Sequence, residues 1–181
     1  MVLTAAHCVY LKDYGPVHEV KFYPGRAGNI SPSIAKHKKI FIPKDWETRQ
    51  DEEHDIGMIV LEEKQHGENF ASLKVLSDEI LDNLNVRISG YPGERRDEHN
   101  LPYMYTMSGP VKTFKEHKFY YHVDTSGGQS GSGVLIEEDF RRTINTCIGI
   151  HVTGCQEEGN GAIRINKEKY EMIQQWIKRK L

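Results

Sequence analysis

The chain has 181 residues, 38% of them hydrophobic, and a formal net charge of −2. That length suits one domain, or two small halves sharing an interface, and is enough to bury a real core. Scattered charge with no basic footprint argues against nucleic-acid binding, and no run approaches the ~18 apolar residues of a membrane span. Residues 1–10 lack the charged n-region and apolar core of a secretory signal. Three cysteines are an odd count. Cys147 and Cys155 either close a small loop, leaving Cys8 alone, or all three are free thiols, in which case a reducing compartment stays open.

In chain order, residues 2–9 read as a strand end running into a helical turn. Residues 18–23 alternate roughly and stop at Pro24-Gly25, and 34–42 form a second strand candidate ended by Pro43. A polar, acidic stretch over 44–53 leads into 56–61, a short apolar run expected to be a buried strand. Residues 62–69 read as a charged surface loop. Residues 70–84 read as a connector, with a helical turn at 77–81 that Ser77 is placed to cap. Further strands are expected at 85–90, 102–113, 118–123, 132–136, 145–152 and 161–165. Short strands with Gly- and Pro-rich turns predict an all-β barrel or sandwich. The last segment is helical, with Tyr170, Ile173, Trp176 and Ile177 on one face and Asn166 as cap.

The most informative stretch is Asp124-Thr125-Ser126-Gly127-Gly128-Gln129-Ser130-Gly131-Ser132-Gly133. So much Gly and Ser cannot form the interior of a helix or strand, so the backbone must turn tightly between two strand-like flanks. A serine on a rigid glycine turn, with backbone N–H groups free to converge, suits an acyl-transfer nucleophile beside an oxyanion hole. Such chemistry needs a base and an orienting acid. His7 in Val2-Leu3-Thr4-Ala5-Ala6-His7-Cys8 and Asp55 in His54-Asp55-Ile56-Gly57-Met58 are the candidates. No H-E-x-x-H and no close Cys/His ligand set stand out, so no metal and no cofactor are expected.

Thr4-Ala5-Ala6-His7-Cys8, Asp55-Ile56-Gly57-Met58 and Gly128-Gln129-Ser130-Gly131, in the order His, Asp, Ser, resemble the chymotrypsin-like serine proteases over nearly the whole chain. The resemblance implies an all-β fold of two antiparallel β-barrels closed by a C-terminal α-helix. Residues 1–77 would be a partial N-terminal barrel with His7 and Asp55, incomplete at its N-terminus because the histidine comes so early. Residues 84–165 would be the C-terminal barrel with the nucleophile, and 166–181 the helix. By the same resemblance His7, Asp55 and Ser130 are the catalytic residues, and the N–H groups of Gly128 and Ser130 form the oxyanion hole. Val152, Thr153 and Gly154 are the edge that pairs with the substrate backbone. It also implies peptide or protein substrates, a secreted monomer, and no nucleic acid or membrane partner.

Val123-Asp124-Thr125-Ser126-Gly127-Gly128-Gln129-Ser130, followed by Gly149-Ile150-His151, is similar to the V8-like glutamyl endopeptidase branch. There, residues matching Thr125 and His151 contact the carboxylate of a glutamate preceding the cut (P1); a hydroxyl and an imidazole can both donate to it. Asp124 competes with that assignment, because trypsin-like enzymes place the acid that selects Lys or Arg six residues before the nucleophile. Gln129 lacks the charge that would pair with a new N-terminal amine, which argues against trypsin-style activation. Gly133 stands where the family usually has proline. An active acidic-P1 endopeptidase and an inactive fragment serving as a binding protein are the two readings of this pattern.

Overall fold

The computed structural model describes residues 1–63, 70–137, 145–155 (backbone alone at 154 and 155) and 159–179. The expected loop at 62–69 therefore lies mostly outside the described residues.

The first half is a four-stranded antiparallel half-barrel. Its strands are β1 (Val2–Thr4), β4 (Lys21–Phe22), β5 (Ala35–Phe41) and β6 (Gly57–Leu61), in the order β1-β6-β5-β4, and a two-stranded ribbon, β2 (Tyr10–Leu11) with β3 (Gly15–Pro16), stands apart. Strand β6 is buried at every position. That explains its continuous apolar sequence, since a strand covered on both faces has no polar alternation. Residues 18–23 keep only two strand residues. Residues 44–53 contain a helix, α1 (Lys44–Arg49), that no apolar periodicity announced. It is anchored by Trp46, its one buried side chain, and ends where Gln50 turns left-handed at φ 54° and donates its N–H to the Trp46 carbonyl at 2.9 Å.

A connector carries β7 (Ser72–Leu73) and a short helix, α2 (Asp78–Leu81). Ser77 occupies the cap position, but its side chain makes no capping hydrogen bond, contrary to expectation.

The second half is a closed barrel of β8 (Asn85–Gly90), β9 (Tyr105–Phe114), β10 (Lys118–Tyr121), β11 (Gly133–Ile136), β12 (Thr146–Cys155) and β13 (Gly159–Arg164). The run β8-β9-β10-β13-β12 is closed by β11, which pairs with both β8 and β12. Its interior holds Val86, Ile88, Val111, Phe119, Tyr121, Val134 and Ile148. Each such side chain contributes about 1.5–3 kcal/mol by leaving water.

Strand β12 extends to Cys155, past the expected end at 152, and overturns the proposed Cys147–Cys155 pairing. Eight residues of strand separate the two Cα atoms by about 25 Å, whereas a disulfide needs them within ~7 Å. Cys147 is a buried free thiol that donates to the Gly149 carbonyl at 3.3 Å, and burial pushes its pKa up to about 11.

Helix α3 (Lys167–Arg179) starts as expected, with Asn166 Oδ1 accepting from the Lys169 N–H at 2.9 Å. Such a cap contributes about 1 kcal/mol. Ile173 and Trp176 enter a core shared with Ala5, Ile56 and Met58, and the Trp176 ring stacks on Phe41 at 6.0 Å. The last helix of the chain thus clamps the first half onto the second.

Candidate active site

His7 sits in a single 3-10 turn, Ala6–Cys8, directly after β1. Asp55 follows another, Glu52–His54, whose N-cap Asp51 accepts from the Glu53 N–H at 3.0 Å. The His54 ring behind it lies 3.3 Å from Asp51 Oδ2 and 3.4 Å from Glu168 Oε1, tying this turn to α3. Asp55 is 6% exposed, and both of its oxygens are used. Oδ2 lies 2.6 Å from His7 Nδ1, and Oδ1 accepts from the His7 backbone N–H at 2.8 Å. The backbone contact fixes the residue and the ring contact fixes the imidazole. This carboxylate is the largest cause raising the His7 pKa above the ordinary histidine value, followed by the Cys8 side chain, with burial opposing. With Nδ1–H committed to Asp55, the other ring nitrogen is left to accept a proton.

The Ser130 turn is wedged against the His7 turn. Gly131 has φ +86°, and a Cβ there would collide with Thr4 Oγ1 and meet the Ala5 nitrogen at 3.2 Å. The Cys8 thiol lies 3.7 Å from the Ser130 carbonyl. The glycine after Ser130 is therefore required by the close approach of Thr4 and Ala5, which ties the Ser130 turn to the segment bearing His7.

Turn geometry also orients the backbone. The Gly127 carbonyl accepts from the Gly93 N–H at 2.7 Å. In a trans peptide the N–H opposes the C=O, so the Gly128 N–H points away from Gly93. The N–H groups of Gln129, Gly131 and Ser132 donate to Ser126, His151 and Gln129 carbonyls. Among the described residues, those of Gly128 and Ser130 have no acceptor. Gly128 has φ +96°, with the Tyr91 carbonyl 2.9 Å from where a Cβ would stand. Gln129 is buried and turns back on the loop, its Oε1 accepting from the Ser126 N–H at 2.8 Å.

The substrate candidates lie on the turn before Ser130 and along β12. Asp124 is exposed and lines a cavity of about 180 Å³ with Thr125, Ser126, Gln129, Glu94 and Arg95. His151 lies on β12, 3% exposed, with Nδ1 2.7 Å from the Tyr121 hydroxyl. Burial pushes its pKa down to about 4, reinforced by the charge of His7 and opposed by a bond to the Gly161 carbonyl. His151 is neutral at neutral pH, and Tyr121, fully buried on β10, is its partner. Sequence reasoning missed Tyr121, which was visible only as one of two tyrosines in an apolar run. Val152 and Thr153 line a cavity of about 200 Å³ with His7, Trp46, Glu52 and Lys118. Gly154 follows, its backbone paired in register with Asn160. No group of three or more His, Cys, Asp or Glu placed to hold a metal occurs among the described residues.

Known proteins resemble this chain in architecture and, more distantly, in sequence. A solved structure described as a Glu endopeptidase in complex with MPD superposes with a TM-score of 0.82 at 23% identity, covering 95% of this chain and 78% of its own. A glutamyl endopeptidase of Bacillus licheniformis is 29% identical over 187 residues, 97% of this chain and 56% of that protein. A protein named extracellular metalloprotease from Bacillus subtilis is 27% identical over 177 residues, 97% of this chain and 54% of that protein. The chain spans about half the length of these curated relatives. The family model described as Trypsin matches residues 1–177, and the chain belongs to that family of chymotrypsin-like serine proteases.

Proposed function

We propose that this chain is a secreted serine endopeptidase that cuts after glutamate or aspartate, acting as a monomer without a cofactor. The observation that carries the catalytic part is the double grip of Asp55 on His7, at 2.6 and 2.8 Å, beside a nucleophile turn packed on Thr4 and Ala5. Ser130 Oγ attacks the scissile carbonyl carbon while its proton passes to His7 Nε2. The resulting oxyanion accepts from the Gly128 and Ser130 N–H groups. Collapse breaks the C–N bond, and His7 returns the proton to the leaving amine. Water, deprotonated by His7, then attacks the acyl-enzyme ester and frees Ser130. Asp55 holds the ring in its productive tautomer throughout.

The acidic P1 preference rests on Thr125, on His151 and on the likeness to glutamyl endopeptidases. A neutral His151 whose Nδ1 accepts from Tyr121 carries its remaining N–H on the other nitrogen, the donor a carboxylate would take from Gly161. The word extracellular in the name of the B. subtilis relative supports secretion. A second reading, basic P1 preference, rests on Asp124.

A fluorophosphonate probe tests the chemistry, with Ser130→Ala as control, followed by peptides with Glu, Asp, Gln, Lys or Arg at P1. Labelling that vanishes in Ser130→Ala, with cleavage after Glu, is the expected result. Preference for Lys or Arg would transfer specificity to Asp124. No labelling would overturn the catalytic reading and leave an inactive family member.

A further inference from the structure

The cavity beside His7 has a chemistry that the catalytic groups do not use. Its volume of about 200 Å³, against ~30 Å³ for a water molecule, holds a side chain. One wall comes from the first half, with His7, Trp46, Glu52 and Asp55. The other comes from the second half, with Lys118 and Val152.

Lys118 is 7% exposed. Its ammonium has three donors, and among the described residues its partner is Glu52 Oε2 at 3.3 Å. That carboxylate is a weak partner, because the Glu52 side chain is 85% exposed and an ion pair reaching into water is worth little. A buried charge needs closer compensation. The two oxygens of Asp55 are already taken by His7. The cavity thus presents an under-partnered cation.

We propose that this cavity is the subsite for the substrate residue immediately before P1, the P2 residue, and that it takes a carboxylate side chain paired with Lys118. The inference builds on the protease reading and on a P1 side chain seated at Thr125 and His151, whatever charge that side chain carries. In an extended peptide successive side chains point to opposite sides. A P1 side chain directed toward Thr125 and His151 sends the P2 side chain back toward His7 and the first half of the molecule. Aspartate or glutamate there meets the Lys118 ammonium out of water, while Glu52 swings into solvent at little cost.

The test is a peptide series with the best P1 residue and Ala, Asp, Glu or Lys at P2, plus Asp at P3 or at P1′ (the residue after the cut) as position controls. Acidic P2 residues raise kcat/KM about tenfold over alanine, as a charge-assisted hydrogen bond away from water would, and lysine lowers it. Lys118→Met brings the Asp-to-Ala ratio close to one. Glu52→Gln, which removes the rival carboxylate at an exposed position, raises the ratio severalfold. Fluorophosphonate labelling of each variant establishes that it is folded. A flat P2 profile in labelled enzyme overturns the subsite, as does a preference that survives Lys118→Met or that appears at P3 or P1′ instead. Loss of labelling in the unsubstituted chain would strike the protease reading itself, a distinguishable failure.

Discussion

Burial of His151 makes a quantitative prediction about acid stability. Its pKa falls from 6.5 in the unfolded chain to about 4 in the folded one, chiefly because the ring is taken out of water. A histidine with a depressed folded pKa is protonated in the unfolded state before the folded state can accept the proton. Between those two values the unfolded chain binds more protons, so stability drops as pH drops. The full displacement corresponds to about 3 kcal/mol, lost progressively from about pH 6.5 down to pH 4. That is a large fraction of the ~5–15 kcal/mol that holds a domain together. His151→Gln keeps a side chain able to donate and accept but removes the titration. Urea unfolding followed by tryptophan fluorescence at several pH values from 7.5 to 4, for both proteins, isolates the effect. Every other titrating group is common to the pair, so the difference between the two curves belongs to His151. The gap in unfolding free energy should shift toward the glutamine variant by about 3 kcal/mol as the pH falls. Parallel curves would mean that the imidazole is not buried neutral in the folded protein.

Other perturbations follow from the same geometry. His7 must be deprotonated to act as base, so kcat/KM should rise with pH through a pKa above 6.5, because Asp55 raises it. Asp55→Asn should lower kcat by about 10⁴-fold and move that acid limb to lower pH; an unmoved limb would remove Asp55 as the cause. Gly131→Ala places a Cβ against Thr4 and Ala5 at φ +86°. It should cost about 1–3 kcal/mol in chemical denaturation and abolish probe labelling, while Gly127→Ala, with nothing within 4 Å, is tolerated. Gly128→Ala, at φ +96° and facing the Tyr91 carbonyl, should slow acylation by about 10²–10³-fold with folding retained by circular dichroism. Alkylation with peptide mapping should modify exposed Cys8 in the native protein and buried Cys147 only in denaturant; rapid native modification of Cys147 would contradict its burial.

What was legible in the sequence lies where the backbone itself dictates residue type. The Ser130 turn needs glycine at 128 and 131 because φ is positive and neighbouring chain is close, so its shape is written in adjacent letters. The same holds for Asp55 before a buried apolar strand and for Asn166 before an amphipathic helix. Helix α1 was not legible, because a helix that buries a single tryptophan has no apolar stripe to read. The cysteine pair misled because 147–155 was divided between a strand and a loop, and the strand in fact runs through both positions.

Partnerships across the fold are hidden for a different reason. Tyr121 meets His151 only because β10 and β12 both flank β13 in the closed barrel. Lys118 meets Glu52, 66 positions away, only because the start of β10 faces the turn that ends at Asp55. Neither pair has a local spacing to betray it; each is fixed by strand order and by the packing of the two halves. The His7, Asp55 and Ser130 boxes are local patterns legible beside relatives at 27–29% identity, whereas the placement of His151, Tyr121, Lys118 and Trp46 depends on strand order and on the packing of the two halves. Differences in specificity between such relatives should therefore concentrate in these cross-fold contacts, and exchanging Lys118 and Glu52 together should change the preferred P2 residue while leaving Asp55 gripping His7.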